Sequence, residues 1–62
     1  MTGEELRELR LRYDLTQDEL AEALDTVKNR VSEWENGKRN MRGITQKAAK
    51  YYFMLREAKI IR

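Results

Sequence analysis

Leu15-Thr16-Gln17-Asp18-Glu19-Leu20-Ala21-Glu22-Ala23-Leu24-Asp25-Thr26-Val27-Lys28-Asn29-Arg30-Val31-Ser32-Glu33-Trp34-Glu35-Asn36-Gly37 is the stretch that decides the fold. Thr16 followed by Glu19 is a capping box, in which each side chain can satisfy the other residue's free backbone N–H at a helix start. Leu15, just before the cap, can pack on Leu20 as a hydrophobic staple, so three signals agree on a helix beginning there. Its buried side carries Leu20, Ala21 and Leu24. Asp25 and Thr26 then form a tight connection, and Thr26 can cap a second helix running from Val27 to about Asn36. Val31 and Trp34 lie three apart and face inward together, and Gly37 suits the left-handed position that ends a helix.

On the N-terminal side, Thr2 with Glu5 repeats the capping box, and Leu6, Leu9, Arg10 and Tyr13 fall on one helical face, which predicts a helix from about Gly3 to Tyr13. On the C-terminal side, Lys38 to Arg42 reads as a basic loop. From Gly43 a further helix carries Ile44, Ala48, Tyr51, Leu55 and Ala58 at alternating spacings of four and three, a heptad-like stripe. The run from Tyr51 to Leu55 is apolar or aromatic around more than half of that helix, more than one packing face requires. With no Pro, three Gly and no sustained strand alternation, the chain reads as all-α. The expectation is a compact bundle of four to five helices forming one domain over residues 1–62, with the central helical pair at about 16–36 and a long or extended C-terminal helix at about 43–59.

Sixty-two residues leave no room for a second domain, and a chain this short needs staples, very regular helix packing or a partner subunit. Cys and His are both absent, which removes disulfides, zinc fingers and His-based catalysis together. The net charge of +2 is uninformative until it is divided along the chain. Residues 1–26 carry −5, residues 27–42 carry +3 and residues 43–62 carry +4, so one face of the domain should be positive. No apolar run is long enough for a membrane span and the acidic start does not resemble a secretory leader, so a cytoplasmic location is expected. The eight N-terminal acids have the spacing of solvated helix faces, and neither a nucleophile–base pair nor a phosphate-cradling Gly loop is present. No enzyme activity, cofactor, metal or small-molecule substrate is therefore expected.

The segment Leu15-Thr16-Gln17-Asp18-Glu19-Leu20-Ala21, paired with Trp34-Glu35-Asn36-Gly37-Lys38-Arg39 about fourteen residues later, resembles the helix-turn-helix of the lambdoid phage repressor and Cro family. The resemblance covers about residues 4 to 52 and implies a DNA-binding transcriptional regulator in a bacterial or phage-infected cell. Its second helix would cross the DNA backbone, its third would enter the major groove, and its dimers would bind half-sites about one helical turn apart. The chain departs from the family where Asp14 and Asp25 stand in place of the usual Gly. After Tyr52 the family usually turns into a fifth helix, and here no Gly or Pro breaks the chain, so the fourth helix either continues or breaks.

By position in the pattern, the base readers are Val27, Lys28, Asn29 and Glu33. Lys28 can donate to guanine, Asn29 can pair with adenine, Glu33 can accept from cytosine N4, and Val27 can pack on a thymine methyl. A solvated helix face is the ordinary place for Lys, Asn and Glu. Glu33 also carries a charge that repels phosphates. Phosphate contacts fall to Gln17, Arg30, Asn36, Lys38, Arg39 and Arg42, with helix N-termini adding backbone donors. The resemblance further implies an ion pair between Arg10 and Glu35, joining the first helix to the third.

Trp34 reads as core rather than as a stacking platform, because it shares the Val31 face. The apolar surplus of the last helix suits a homodimer seam, with Phe53, Met54, Ile60 and Ile61 on the second subunit; it could also be ordinary core with a frayed tail. Two other functions stay open at this point: a protein-interaction module on the same fold, such as an antitoxin-like or adaptor subunit, and a redesigned variant of the fold.

Overall fold

The computed structural model describes residues 1–58. Four α-helices follow one another: α1 (Gly3–Arg12), α2 (Gln17–Ala23), α3 (Lys28–Glu35) and α4 (Gly43–Glu57), with no strand among the described residues. α1 and α2 start as their sequences dictate. The Thr2 and Thr16 hydroxyls accept from the backbone N–H of Glu5 and Glu19, both at 3.1 Å, and each glutamate accepts in return from the threonine N–H. The Thr2 N–H holds the Glu5 carboxyl below its ordinary pKa, because it stabilises the charged form.

The first three helices stop in the same way. After α1, Leu15 N–H returns to Arg10 O and Asp14 N–H to Leu11 O. After α2, Thr26 returns to Ala21 O and Asp25 to Glu22 O. After α3, Lys38 returns to Glu33 O and Gly37 to Trp34 O. These are Schellman closures, and each needs one left-handed residue. Gly37 takes that role at φ 76°, Asp14 at 57° and Asp25 at 56°. Asp enters this region more readily than most residues with a Cβ, so the turns form without glycine.

That geometry corrects the expected cap of α3. Thr26 spends its N–H on closing α2, the N-cap falls to Val27, and α3 begins at Lys28 without a side-chain cap.

The core is built from Leu6, Leu15, Leu20, Ala21, Val31, Trp34, Met41, Ala49 and Phe53. α3 is its centre, packing on both α1 and α2. α4 joins through side chains: Phe53 stacks on Tyr13 with ring centroids 5.7 Å apart, and Arg56 donates to Tyr13 O at 3.2 Å. The α4 face that points inward is not the predicted stripe. Ala49 and Phe53 are buried, whereas Ile44, Ala48, Tyr51 and Ala58 are exposed and Leu55 is half-buried. The two faces differ by one residue, about 100° of helix rotation. Buried Met41 and the Tyr13–Phe53 stack set that rotation, and both are tertiary contacts invisible to spacing. α4 runs unbroken to Glu57, so among the described residues there is no fifth helix. No helix is long and apolar enough to cross a membrane among those residues.

Candidate nucleic-acid interface

Val31 and Trp34 pin one side of α3 into the core, which turns Asn29, Ser32, Glu33 and Asn36 towards solvent. Val27, Lys28, Asn29 and Arg30 are exposed where α3 begins, and Val27 retains 63% of its surface although it is apolar. The first turn of α3 contains no acid, in contrast to α1 and α2, which each carry two there. Its free backbone N–H groups thus meet no carboxylate within the turn itself.

Exposed Lys38, Arg39 and Arg42 continue the basic surface beyond the end of α3. Arg30, Arg39 and Arg42 converge on a shallow recess that Asn40 and Thr45 also line. Glu33 lies against this group: its Oε1 accepts from Arg39 Nε at 3.2 Å and stands 3.7 Å from Arg30 Nε.

Arg10 and Glu35 lock this surface to the body of the domain. Arg10 Nε and Nη2 donate to the two Glu35 oxygens at 2.7 and 3.0 Å, and Arg10 Nη1 donates to Leu15 O at 2.9 Å. The two side chains are 11% and 3% exposed, so solvent screens the pair little. Gln17, the first residue of α2, donates its amide Nε2 to Glu35 Oε1 at 3.2 Å. One carboxylate therefore ties α1, α2 and α3 together. The second amide hydrogen of Gln17 is left for an outside acceptor.

A family model described as helix-turn-helix matches residues 6–45. The chain belongs to the helix-turn-helix family. No curated protein and no solved structure matches it significantly. The matched segment runs from inside α1 to the first turn of α4 and agrees with the repressor and Cro resemblance. It makes the protein a DNA-binding helix-turn-helix regulator, in which α2 and α3 are the paired helices.

On this helix-turn-helix, the structure brings Arg30, Arg39 and Arg42 together around one recess, with Glu33 against Arg30 and Arg39, and leaves Gln17 half-buried on Glu35. Lys28, Asn29, Arg30, Lys38, Arg39 and Arg42 are exposed, and Glu33 stands among the arginines. Ser32 was not singled out. It lies on the same outward face, and its hydroxyl accepts from Asn36 Nδ2 at 3.3 Å. Its spacing of three from Asn29 and four from Asn36 is the signal that a helical wheel would have read. Phe53, assigned to a second subunit, is only 4% exposed and belongs to the domain's own core. Met54 is 56% exposed, while Ile60 and Ile61 lie outside the described residues.

Proposed function

We propose that this protein is a sequence-specific regulator that binds double-stranded DNA as a homodimer, placing α3 of each subunit in the major groove of an operator half-site. The observation that carries the reading is the acid-free first turn of α3, where Lys28 and Asn29 stand exposed on a helix anchored by buried Val31 and Trp34. Side chains at the start of a rigid helix reach base edges with little ordering cost, and Lys28 and Asn29 supply donor and acceptor patterns suited to guanine and adenine. Val27 adds an apolar contact for a thymine methyl. Arg30, Asn36, Lys38, Arg39 and Arg42, with the free hydrogen of Gln17, take the phosphates and fix the register.

The dimer places two such helices about 34 Å apart, one turn of B-DNA. Its seam is the exposed side of α4, where Ile44 at 78%, Tyr51 at 60% and Met54 at 56% exposure are large apolar side chains open to solvent, with Lys47 among them. Ile60 and Ile61 extend the proposal beyond the described residues. Regulation is by occupancy: the dimer covers a promoter in a bacterial or phage-infected cytoplasm when its concentration exceeds the dissociation constant, on the order of 10⁻⁸ to 10⁻¹¹ M for specific binders. The same exposed side chains favour a second reading, a module that docks another protein through α4. Replacing Lys28 and Arg39 together by Glu separates the two. The DNA reading expects duplex retardation to vanish in a gel shift while the melting temperature holds, and retention of the shift would refute it.

A further inference from the structure

We propose that Glu33 is a specificity-determining residue that works as a built-in counter-ion, competing with DNA phosphates for Arg39 and Arg30. The inference rests on the DNA-binding reading of α3. Glu33 Oε1 accepts from Arg39 Nε at 3.2 Å and stands 3.7 Å from Arg30 Nε. The three side chains remain 41 to 48% exposed, so both pairings are open to an incoming anion. Arg39 reaches Glu33 from the loop after α3, so the contact joins the reading helix to the basic loop.

A phosphate that takes either guanidinium must displace this carboxylate and leave it uncompensated beside the polyanion. That penalty applies on any sequence. It is offset where the carboxylate can turn to a hydrogen-bond donor on a base; the major groove offers two, the adenine N6 and cytosine N4 amino groups, and cytosine, whose edge lacks the N7 acceptor that would repel a carboxylate beside adenine N6, is the better partner. Glu33 thus weakens sequence-blind binding more than binding to a site that presents cytosine at its position. The acid that seemed misplaced among the arginines converts part of the phosphate attraction into discrimination.

The test is Glu33→Gln, which keeps the size and one carbonyl oxygen but removes the charge. Two duplexes are used, one selected by the unmodified protein and one of scrambled sequence, each titrated over a range of salt. The scrambled duplex should be bound about tenfold more tightly near 0.1 M salt, with the salt slope steeper by roughly one, as one added phosphate contact requires. The selected duplex should gain less, so the specificity ratio falls. In an Arg39→Gln background the same exchange should lose most of its effect, which a merely structural Glu33 would not produce. Equal gains on both duplexes, or an unchanged salt slope, would overturn the inference while leaving DNA recognition intact. Failure of the unmodified protein to bind any duplex would overturn both.

Discussion

Replacing Arg10 by Met removes three hydrogen bonds that Arg10 donates, two to Glu35 and one to Leu15 O. Met has a similar apolar stem, so packing along the side chain is largely kept and the change isolates the charge. Glu35, 3% exposed, is left with the single Gln17 amide as a side-chain donor. Breaking one side of a buried pair in this way costs about 3 to 5 kcal/mol, mostly from the stranded carboxylate. At about 0.05 to 0.15 kcal/mol per residue, 62 residues give a total stability of about 3 to 9 kcal/mol. The loss is therefore comparable with the whole. In a thermal melt followed by far-ultraviolet circular dichroism it should lower Tm by about 12 to 40 °C, or leave the chain unfolded at 25 °C. Arg10→Met combined with Glu35→Leu should recover most of the loss, because no buried charge remains. A single variant melting within about 4 °C of the parent would show the pair to be worth no more than an exposed one and refute the reasoning.

Asp14→Gly and Asp25→Gly should each raise stability by up to about 1 kcal/mol, since the cost of a Cβ at φ 57° and 56° outweighs the added chain entropy of glycine. A fall in the urea midpoint at either position would contradict this. Gly3→Ala should destabilise by about 1 to 3 kcal/mol, because the new Cβ would run into the backbone carbonyl of Trp34, which cannot yield as a flexible side chain would; an unchanged melt would mean that α1 docks less closely on α3. Sedimentation at micromolar concentration should find the unmodified protein dimeric and the Ile44→Glu/Tyr51→Glu variant monomeric but still helical, with a Tm lowered only by the lost dimerisation, and a strict monomer before substitution would remove the α4 seam.

Local chemistry made much of this fold legible. Thr2 with Glu5 and Thr16 with Glu19 announced two helix starts, Gly37 announced a stop, and Val31 with Trp34 identified the buried face of α3. Those signals act within four residues and need no partner. What escaped depends on distant contacts. Thr26 had the chemistry of a cap, but it closes the end of α2 and so stands one residue before the N-cap, Val27, where its hydroxyl is out of register with α3. Met41 sat in a segment read as a basic loop, yet it is buried and holds the start of α4 against the body; a lone apolar residue among cations was its signal. The α4 stripe followed the spacing of the larger apolar residues, whereas its rotation follows the stack of Phe53 on Tyr13. The exposure of Lys28, Asn29, Lys38 and Arg39 was readable from their place around α3, but the pairing of Glu33 with Arg39 was not, because six residues and a helix end separate them.

The central claim is that the exposed start of α3 reads a DNA sequence. Selection from a pool of randomised duplexes, repeated over several rounds at about physiological salt, tests it most directly. The account predicts enrichment of a two-fold related motif whose half-sites are centred about one helical turn apart. A pool that stays random, bound only through salt-sensitive attraction, would contradict it.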